Sequence, residues 1–309
     1  MDDLSGNSEA LLVETVDPSQ DLGTWTWTYL NGQRGNGTGI THWLIQDYLD
    51  INGLPISISE VYQGDETLEE VVINRDPRLD QSMWTPGEVS IASTPPVIFR
   101  VPPLEKGGSD LSTTGYMVRK GSTTDPDQNT GSSTDNYGKV DGMVFRYAEA
   151  LLNFAEAKAE LGTLTQEDLD RSINLLRNRV GMPDLTIDVG FVDPEWDFPA
   201  LSPIINEIRR ERRVELAFEG FRQDDLMRWR AGHIFQGERP KGARFIPGVS
   251  FPSIEDQIMG ISVDENNYID RYKSAIPNGY SFDENRDYLF PLPTNELTLN
   301  ENLEQNPGW

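Results

Sequence analysis

The chain has 309 residues, no cysteine, and a net charge of −25 from 51 acidic and 26 basic residues. This charge opposes binding to nucleic acid and anionic lipid, whereas neutral sugars, cations and basic peptides stay compatible. The lack of cysteine excludes disulfides and thiolate chemistry, and two histidines make His-rich zinc sites and most His-based triads unexpected. No apolar run approaches the roughly 20 residues of a membrane helix, and we expect no signal peptide at Met1–Ser5.

The sequence divides into three zones. Residues 1–141 are rich in Gly, Thr, Pro and Asp, which predicts a loop-rich zone with short strands. Residues 142–232 contain nearly all of the helical periodicity, and residues 233–309 return to an irregular chain punctuated by Pro and Gly. The predicted fold is therefore mainly α with large irregular loop regions, in one continuous region over residues 1–309.

The central zone predicts three helices. The first covers Met143–Leu161 and the second Gln166–Val180, with a capping-box variant formed by Thr165 and Asp168. Because their connection is short, we expect the two to pack as an antiparallel hairpin of the tetratricopeptide type. The third helix runs from Pro203, after the N-cap Ser202, to about residue 231. Four aromatic residues on these helical stripes are predicted to pack in the core: Tyr147, Phe218, Phe221 and Trp229.

Charged residues occupy the middle of the third helix, where apolar residues would be expected. Helical spacing favours ion pairs among five of them: Glu211, Arg212, Glu215, Glu219 and Arg222. We interpret them as a partly buried network that holds one helix to another. In the first zone, the run Asn74–Leu79 contains Asp76 before Pro77, which favours a structural turn.

Aromatic residues beside polar ones are the side chains that stack on sugar rings and bind their hydroxyls. Trp25, Trp27 and Tyr29 alternate, so in an extended chain they would share one face, with Asn31 and Arg34 close behind. The alternative is a strand that buries these rings in the core. Trp43, Tyr62 and Trp84 are further ligand-binding candidates.

One calcium site can be considered. Asp125, Asp127 and Asn129 have the spacing of the first three ligands of a calcium-binding loop. The glycine, Gly131, comes one position late, and Asn136 stands where a glutamate would be expected. An exposed loop without Ca²⁺ is the alternative, and we expect no other cofactor.

Five segments, in order, resemble conserved elements of the SusD/RagB family. One segment, Phe145–Pro183, begins like its "RYAE-LLN-AEA" helix at Phe145–Ala157 and continues like its "IN-LR-RAG-P" element at Ile173–Pro183. Ile208–Trp229 is similar to "I--ERR-ELAFEG-R--DL-RW". Upstream, Asn52–Pro55 and Asn74–Leu79 match "NG-P" and "RDPRL", and Leu289–Trp309 resembles the terminal "P-P--E---N--L-QNPGY" with Trp309 in place of Tyr.

This resemblance implies a SusD-like fold in which tetratricopeptide-type helix pairs pack against a loop-rich region. It also implies a non-catalytic lipoprotein of the outer-membrane surface of Bacteroidota, which captures oligosaccharides, or peptides in some members, and passes them to a SusC-type TonB-dependent transporter. Family members are longer, so the chain corresponds to their C-terminal half. The signal peptide and lipidated Cys would lie upstream of it.

Three other functions remain open from the sequence. The first is peptide binding of the RagB kind, and the second is a pure protein-interaction module. The third is a glycoside hydrolase, which needs two carboxylates facing each other across a bond. The obvious carboxylates, Glu211, Glu215 and Glu219, share one helix with arginines between them, an arrangement that favours ion pairing.

Overall fold

A computed structural model describes residues 4, 6–17, 37–101, 104, 111–125, 141–252, 254 and 260–309. The chain divides into two compact units, one of Met1–Ala217 with Lys241–Arg271 and the other of Phe218–Pro240 with Tyr272–Trp309. The fold is mainly α with large irregular regions, as the sequence predicts. Trp25, Trp27, Tyr29, Asn31 and Arg34 lie outside the described residues, as do Asp127 and Asn129.

Short elements are separated by long irregular stretches. The α-helices of the described ranges are α1 His42–Asp47, α2 Pro77–Ser82, α3 Tyr147–Glu160, α4 Gln166–Asp170, α5 Ile173–Arg179, α6 Pro203–Glu215, α7 Arg222–Arg228 and α8 Thr294–Leu299. Single 3₁₀ turns cover Glu70–Val72 and Gly232–Ile234. The strands are β1 Ala10–Glu14, β2 Met83–Trp84, β3 Val89–Ile91, β4 Val97–Ile98, β5 Met117–Val118 and β6 Gly142–Arg146. They form antiparallel pairs, β1 with β6, β2 with β5 and β3 with β4.

The prediction that the first long helix begins at Met143 is wrong. Residues Gly142–Arg146 form β6, which pairs with β1, and the main chain of Tyr147 still donates to Glu9 O at 2.8 Å. Val144 and Phe145 are residue types that are common in strands. The hydrogen bonds to β1 pair the main-chain N–H and C=O groups that would otherwise be paired within a helix. Helix α3 therefore starts at Tyr147, whose ring is 48% exposed rather than part of the core.

The second predicted helix is two helices. Its N-terminal capping box is confirmed, because Thr165 Oγ1 accepts from Asp168 N at 3.2 Å and Asp168 Oδ2 accepts from Thr165 N at 3.0 Å. The helix ends at Asp170 and restarts at Ile173, where the Ser172 hydroxyl donates to the Asp168 carbonyl at 2.5 Å. This side-chain bond competes with the helical backbone. Both halves contact α3, as the hairpin prediction requires.

The third predicted helix starts as expected, with Ser202 at the N-cap and Pro203 in the first turn. It ends at Glu215 instead of continuing to residue 231. Phe218 (φ 67°) and Gly220 (φ 89°) adopt left-handed backbone conformations that a right-handed helix cannot contain. Phe218 is 41% exposed, so its assignment to the core is also wrong. Helix α7 then forms separately over Arg222–Arg228.

Two of the sequence motifs meet in a buried ion-pair network. Arg78, from the "RDPRL" run, donates from Nη1 to Glu211 Oε1 and, at 3.0 Å, to Glu215 Oε2, both on α6. Its other nitrogens bind Asp76, the residue that caps α2. Arg177 Nε of α5 donates to Glu211 at 2.8 Å. The network prediction is therefore confirmed for Glu211 and Glu215, and their partners lie on other elements rather than on α6.

Glu215 is held by three guanidinium groups. Besides Arg78, Arg146 Nη1 donates to its carboxylate at 2.7 Å and Arg179 Nη2 at 2.9 Å. Burial alone would raise the pKa of Glu215, but the three arginines outweigh it and lower that pKa to about 2. At neutral pH the carboxylate is ionised and fully engaged. It joins β6, α2 and α5 to α6.

The main apolar core lies in the first unit. It includes Tyr48, Leu79, Met83, Tyr116 and Phe251, all between 0 and 2% exposed. Its members come from α1, α2 and the irregular segments around residues 116, 243 and 269. These packed loops form the floor of the candidate site.

Candidate functional site

Main-chain hydrogen bonds bring three distant segments of the first unit side by side. Ile40 N donates to Tyr116 O at 3.1 Å, His42 N to Lys241 O at 2.9 Å, and Ala243 N to Thr114 O at 2.7 Å. A Cβ at Gly242 would lie 2.3 Å from Thr114 O, so glycine is required for this close approach. The contacts place the start of α1 next to the segments around residues 114 and 243.

A cluster of polar and aromatic side chains lies on this floor. Tyr268 packs against His42 with 4.1 Å between ring centroids and an interplanar angle of 34°. Its hydroxyl donates to Asp65 Oδ2 at 2.6 Å, and Arg244 Nη1 lies 3.5 Å from Asp65 Oδ1. Tyr62 stands beside them, 5.2 Å from the guanidinium carbon of Arg75. We call these residues, with the buried Tyr116, the Asp65 cluster: His42, Tyr62, Asp65, Arg75, Tyr116, Arg244 and Tyr268.

Several buried polar atoms of the cluster have no hydrogen-bond partner within the described part of the chain. They are His42 Nδ1, Arg75 Nε, Tyr116 Oη and Arg244 Nε. An unsatisfied buried polar atom costs about 1–3 kcal/mol, and native proteins keep few of them. These four atoms can form further hydrogen bonds, to water or to other oxygen-bearing groups.

Burial sets the protonation of the cluster. It lowers the pKa of His42 to about 4, with Asp65 opposing the shift, so the imidazole is neutral at pH 7. It raises the pKa of Tyr62 to about 12, and it also raises that of Tyr268, to which the hydrogen bond with Asp65 adds. The cluster therefore offers phenol hydroxyls, a neutral imidazole and a carboxylate. These groups can both donate to and accept from hydroxyls.

The candidates that the structure describes have different environments. Tyr62 is half-buried and belongs to the Asp65 cluster, and Trp43 is half-buried on α1 next to His42. Trp84 is 1% exposed, stacked on Phe99 at 5.9 Å and covered by Arg119 at 4.8 Å, so neither face of its indole is open to a ligand. Asp125 is half-buried, and its main-chain N–H bonds Thr123 Oγ1 at 3.2 Å.

The sequence reasoning missed Asp65, Arg244 and Tyr268. Asp65 and Tyr268 are 203 residues apart, and no local spacing connects them. His42 is not among the predicted site residues either. Tyr268 follows Asn266 and Asn267, an aromatic-plus-amide composition that could have marked it as a candidate.

The fold is SusD-like. A SusD-like carbohydrate-binding protein from Bacteroides fragilis has a TM-score of 0.67 and 25% identity over 97% of this chain and 55% of its own. A second SusD-like protein from the same species has a TM-score of 0.66 and 23% identity, over 98% of this chain and 55% of its own.

The chain belongs to the SusD family, whose model matches residues 14–309. SusD-like protein P2 of Formosa agariphila is 33% identical over 183 residues, which are 57% of this chain and 26% of that protein. The chain thus spans about half the length of the solved relatives and about a quarter of this curated one.

Proposed function

We propose that the protein is a non-catalytic binding protein of the cell surface, which captures oligosaccharides and passes them to a SusC-type TonB-dependent transporter. The observation that carries the proposal is the Asp65 cluster, where two half-buried tyrosines lie beside a carboxylate, a guanidinium group and unsatisfied buried donors. The description of the Bacteroides fragilis relative as a carbohydrate-binding protein supports a glycan over other ligands.

The chemistry of the cluster suits sugars. A sugar ring presents C–H groups on its faces, which pack on aromatic rings, and hydroxyls at its edge, which need donors and acceptors together. Tyr62 and Tyr268 supply rings, and Asp65 supplies an acceptor. Arg244, whose side chain is 33% exposed, supplies donors at the edge of the cluster. Trp43, which follows His42 on α1 and is half-buried, is a further aromatic candidate.

Hydrolysis is not supported by Glu211 and Glu215, two of the three carboxylates considered for it. Glu211 is bound by Arg78 and Arg177, and Glu215 by Arg78, Arg146 and Arg179. Both are nearly inaccessible, with side chains 2% exposed. A general acid requires a raised pKa and access to the substrate, whereas the arginines lower the pKa of both carboxyls despite their burial.

The location and partner rest on family membership. SusD-family proteins act at the cell surface, and we propose that a lipid anchor in the full-length protein holds this region there. Among the described residues, no helix is both long and apolar enough to cross a membrane. The transporter would be detected by co-purification of the full-length protein with a TonB-dependent channel from its native membrane.

The binding proposal is tested by native affinity electrophoresis against soluble polysaccharides, with peptide mixtures tested in parallel by tryptophan fluorescence. We expect retardation by at least one polysaccharide. Tyr268→Phe removes the hydroxyl that donates to Asp65 and holds this carboxylate in place for a sugar hydroxyl. It should weaken binding about fivefold or more, because the loss of one hydrogen bond to the ligand costs roughly 1 kcal/mol or more.

Tyr272→Ala is the matched control, because Tyr272 is 40% exposed and lies outside the Asp65 cluster. It should leave affinity unchanged. Binding of peptides without any polysaccharide would contradict the glycan proposal and favour the peptide-binding alternative. If Tyr268→Phe binds the polysaccharide as tightly as the unmodified chain, the Asp65 cluster is not the binding site.

A further inference from the structure

The charges of the Asp65 cluster decide which glycans it can accept. In the described part of the chain, each of the three cations in or next to the cluster already has a carboxylate or main-chain partner. Arg244 Nη1 lies 3.5 Å from Asp65 and 3.8 Å from Glu66. Lys241 Nζ binds Asp264 at 2.8 Å and Asp270 at 3.2 Å.

Arg75, the third cation, donates to carbonyls of the main chain. Its Nη2 binds Ile45 O at 2.6 Å and Tyr48 O at 2.8 Å, and its Nη1 binds Val71 O at 3.3 Å. The residue is 3% exposed, so its charge is used to hold α1 in place. Its Nε is buried and has no hydrogen-bond partner in the described part of the chain.

The local balance is negative. Among the described residues of the cluster and its ion pairs, three cations stand against four carboxylates, which gives a net charge of −1. The cations are Arg75, Lys241 and Arg244, and the carboxylates are Asp65, Glu66, Asp264 and Asp270. The side chain of Glu66 is 54% exposed, so the most accessible charge at the edge is a carboxylate. The chain as a whole carries −25. An approaching anion is therefore repelled at long range by the net charge of the chain and at short range by the local excess of carboxylates.

We propose that the Asp65 cluster binds uncharged glycans and rejects glycans that carry uronate or sulfate groups. This inference rests on the proposed glycan-binding function and names its substrate class. An uncharged sugar presents hydroxyls that donate to Asp65 and accept from tyrosine and arginine donors. A carboxylate or sulfate group can only accept, and it would compete with Asp65 and Glu66 for the single guanidinium group of Arg244.

The first experiment measures the full chain by affinity electrophoresis and calorimetry against two panels. The uncharged panel is soluble starch, laminarin, galactomannan and xyloglucan, and the anionic panel is polygalacturonate, alginate and chondroitin sulfate. Any uncharged polysaccharide that binds is then compared with its own carboxymethyl derivative, with the hydroxyethyl derivative as the control for bulk.

We expect the carboxymethyl derivative to bind at least tenfold more weakly than the hydroxyethyl derivative. Between 0.05 and 0.5 M NaCl, the Kd for the uncharged glycan should change less than twofold, because no ion pair forms on binding. Equal or tighter binding of anionic glycans would overturn the inference while leaving the glycan-binding function intact. Failure of a folded chain to bind either panel would overturn both.

A charge variant tests whether the charges near the cluster cause the weaker binding of anionic glycans. Glu66→Lys changes the local net charge from −1 to +1. The ratio of the Kd of the carboxymethyl derivative to that of the hydroxyethyl derivative should fall at least fivefold. The Kd for the uncharged glycan should stay within twofold of its original value. Glu69→Lys, at a nearby exposed glutamate outside the cluster, makes the same change in total charge and should have no such effect. If both variants change the relative affinity for the carboxymethyl derivative equally, the charge at Glu66 is not the cause of the discrimination.

Discussion

Substitution of the buried Glu215 tests how much its ion pairs contribute to the stability of the fold. The carboxylate accepts hydrogen bonds from Arg78, Arg146 and Arg179, which come from α2, the end of β6 and α5. Glu215→Gln preserves the size of the side chain and removes its charge. The buried guanidinium groups of Arg78 and Arg146 and the partly exposed one of Arg179 then each lose one anionic partner, and breaking a buried ion pair is costly.

The cost follows from the pKa. In the unfolded chain the carboxyl has its ordinary value of 4.5, and in the folded chain its pKa is about 2. At about 1.4 kcal/mol per pKa unit, the difference corresponds to about 3 kcal/mol at pH 7. Because the folded-state pKa is the lower one, this stability is present above pH 4.5 and is lost as the pH falls towards 2. At pH 3 about 1 kcal/mol should remain.

Urea unfolding, followed by circular dichroism from pH 7 to pH 3, measures this difference between Glu215→Gln and the unmodified chain. We expect a gap of about 3 kcal/mol at pH 7 that narrows by more than half at pH 3. Glu69→Gln, at an exposed position in the same unit, should change stability by less than about 0.5 kcal/mol. A gap below about 1 kcal/mol at pH 7, or one independent of pH, would refute the reasoning.

Three further outcomes are expected. Burial lowers the pKa of His42 from 6.5 to about 4, so as the pH falls the unfolded chain binds a proton at His42 before the folded chain does. The free energy of unfolding should therefore fall by about 2 kcal/mol from pH 7.5 to pH 5. His42→Gln should remove this pH dependence in urea titrations, and His233→Gln, at the exposed second histidine, should retain it. Thr165→Ala should cost about 1 kcal/mol by thermal unfolding, because it removes one half of a capping box, whereas Thr165→Ser should cost little. Trp84→Phe should lower the melting temperature but leave glycan affinity within twofold by calorimetry, and a selective loss of affinity would contradict the burial of that indole.

Local sequence determined the features that depend on neighbours within about four residues. The capping box at Thr165, the start of α6 at Pro203 and the ionic character of Glu211 and Glu215 could all be predicted from it. Each depends on short-range hydrogen bonds or helical spacing. The order of the five segments that resemble SusD/RagB proteins was likewise sufficient to indicate the family and the fold.

The tertiary structure decided whatever depends on partners far along the chain. Residues 142–146 have helical periodicity, but pairing with β1 makes them a strand, and the left-handed conformation of Phe218 ends α6 early. Arg78 reaches Glu211 across 133 residues, and Tyr268 reaches Asp65 across 203. No spacing rule connects such positions, because their contact depends on how the irregular segments pack. The family and the starts of α4 and α6 could therefore be predicted from the sequence alone, whereas strand β6, the ends of these two helices and the Asp65 cluster are decided only in the folded chain.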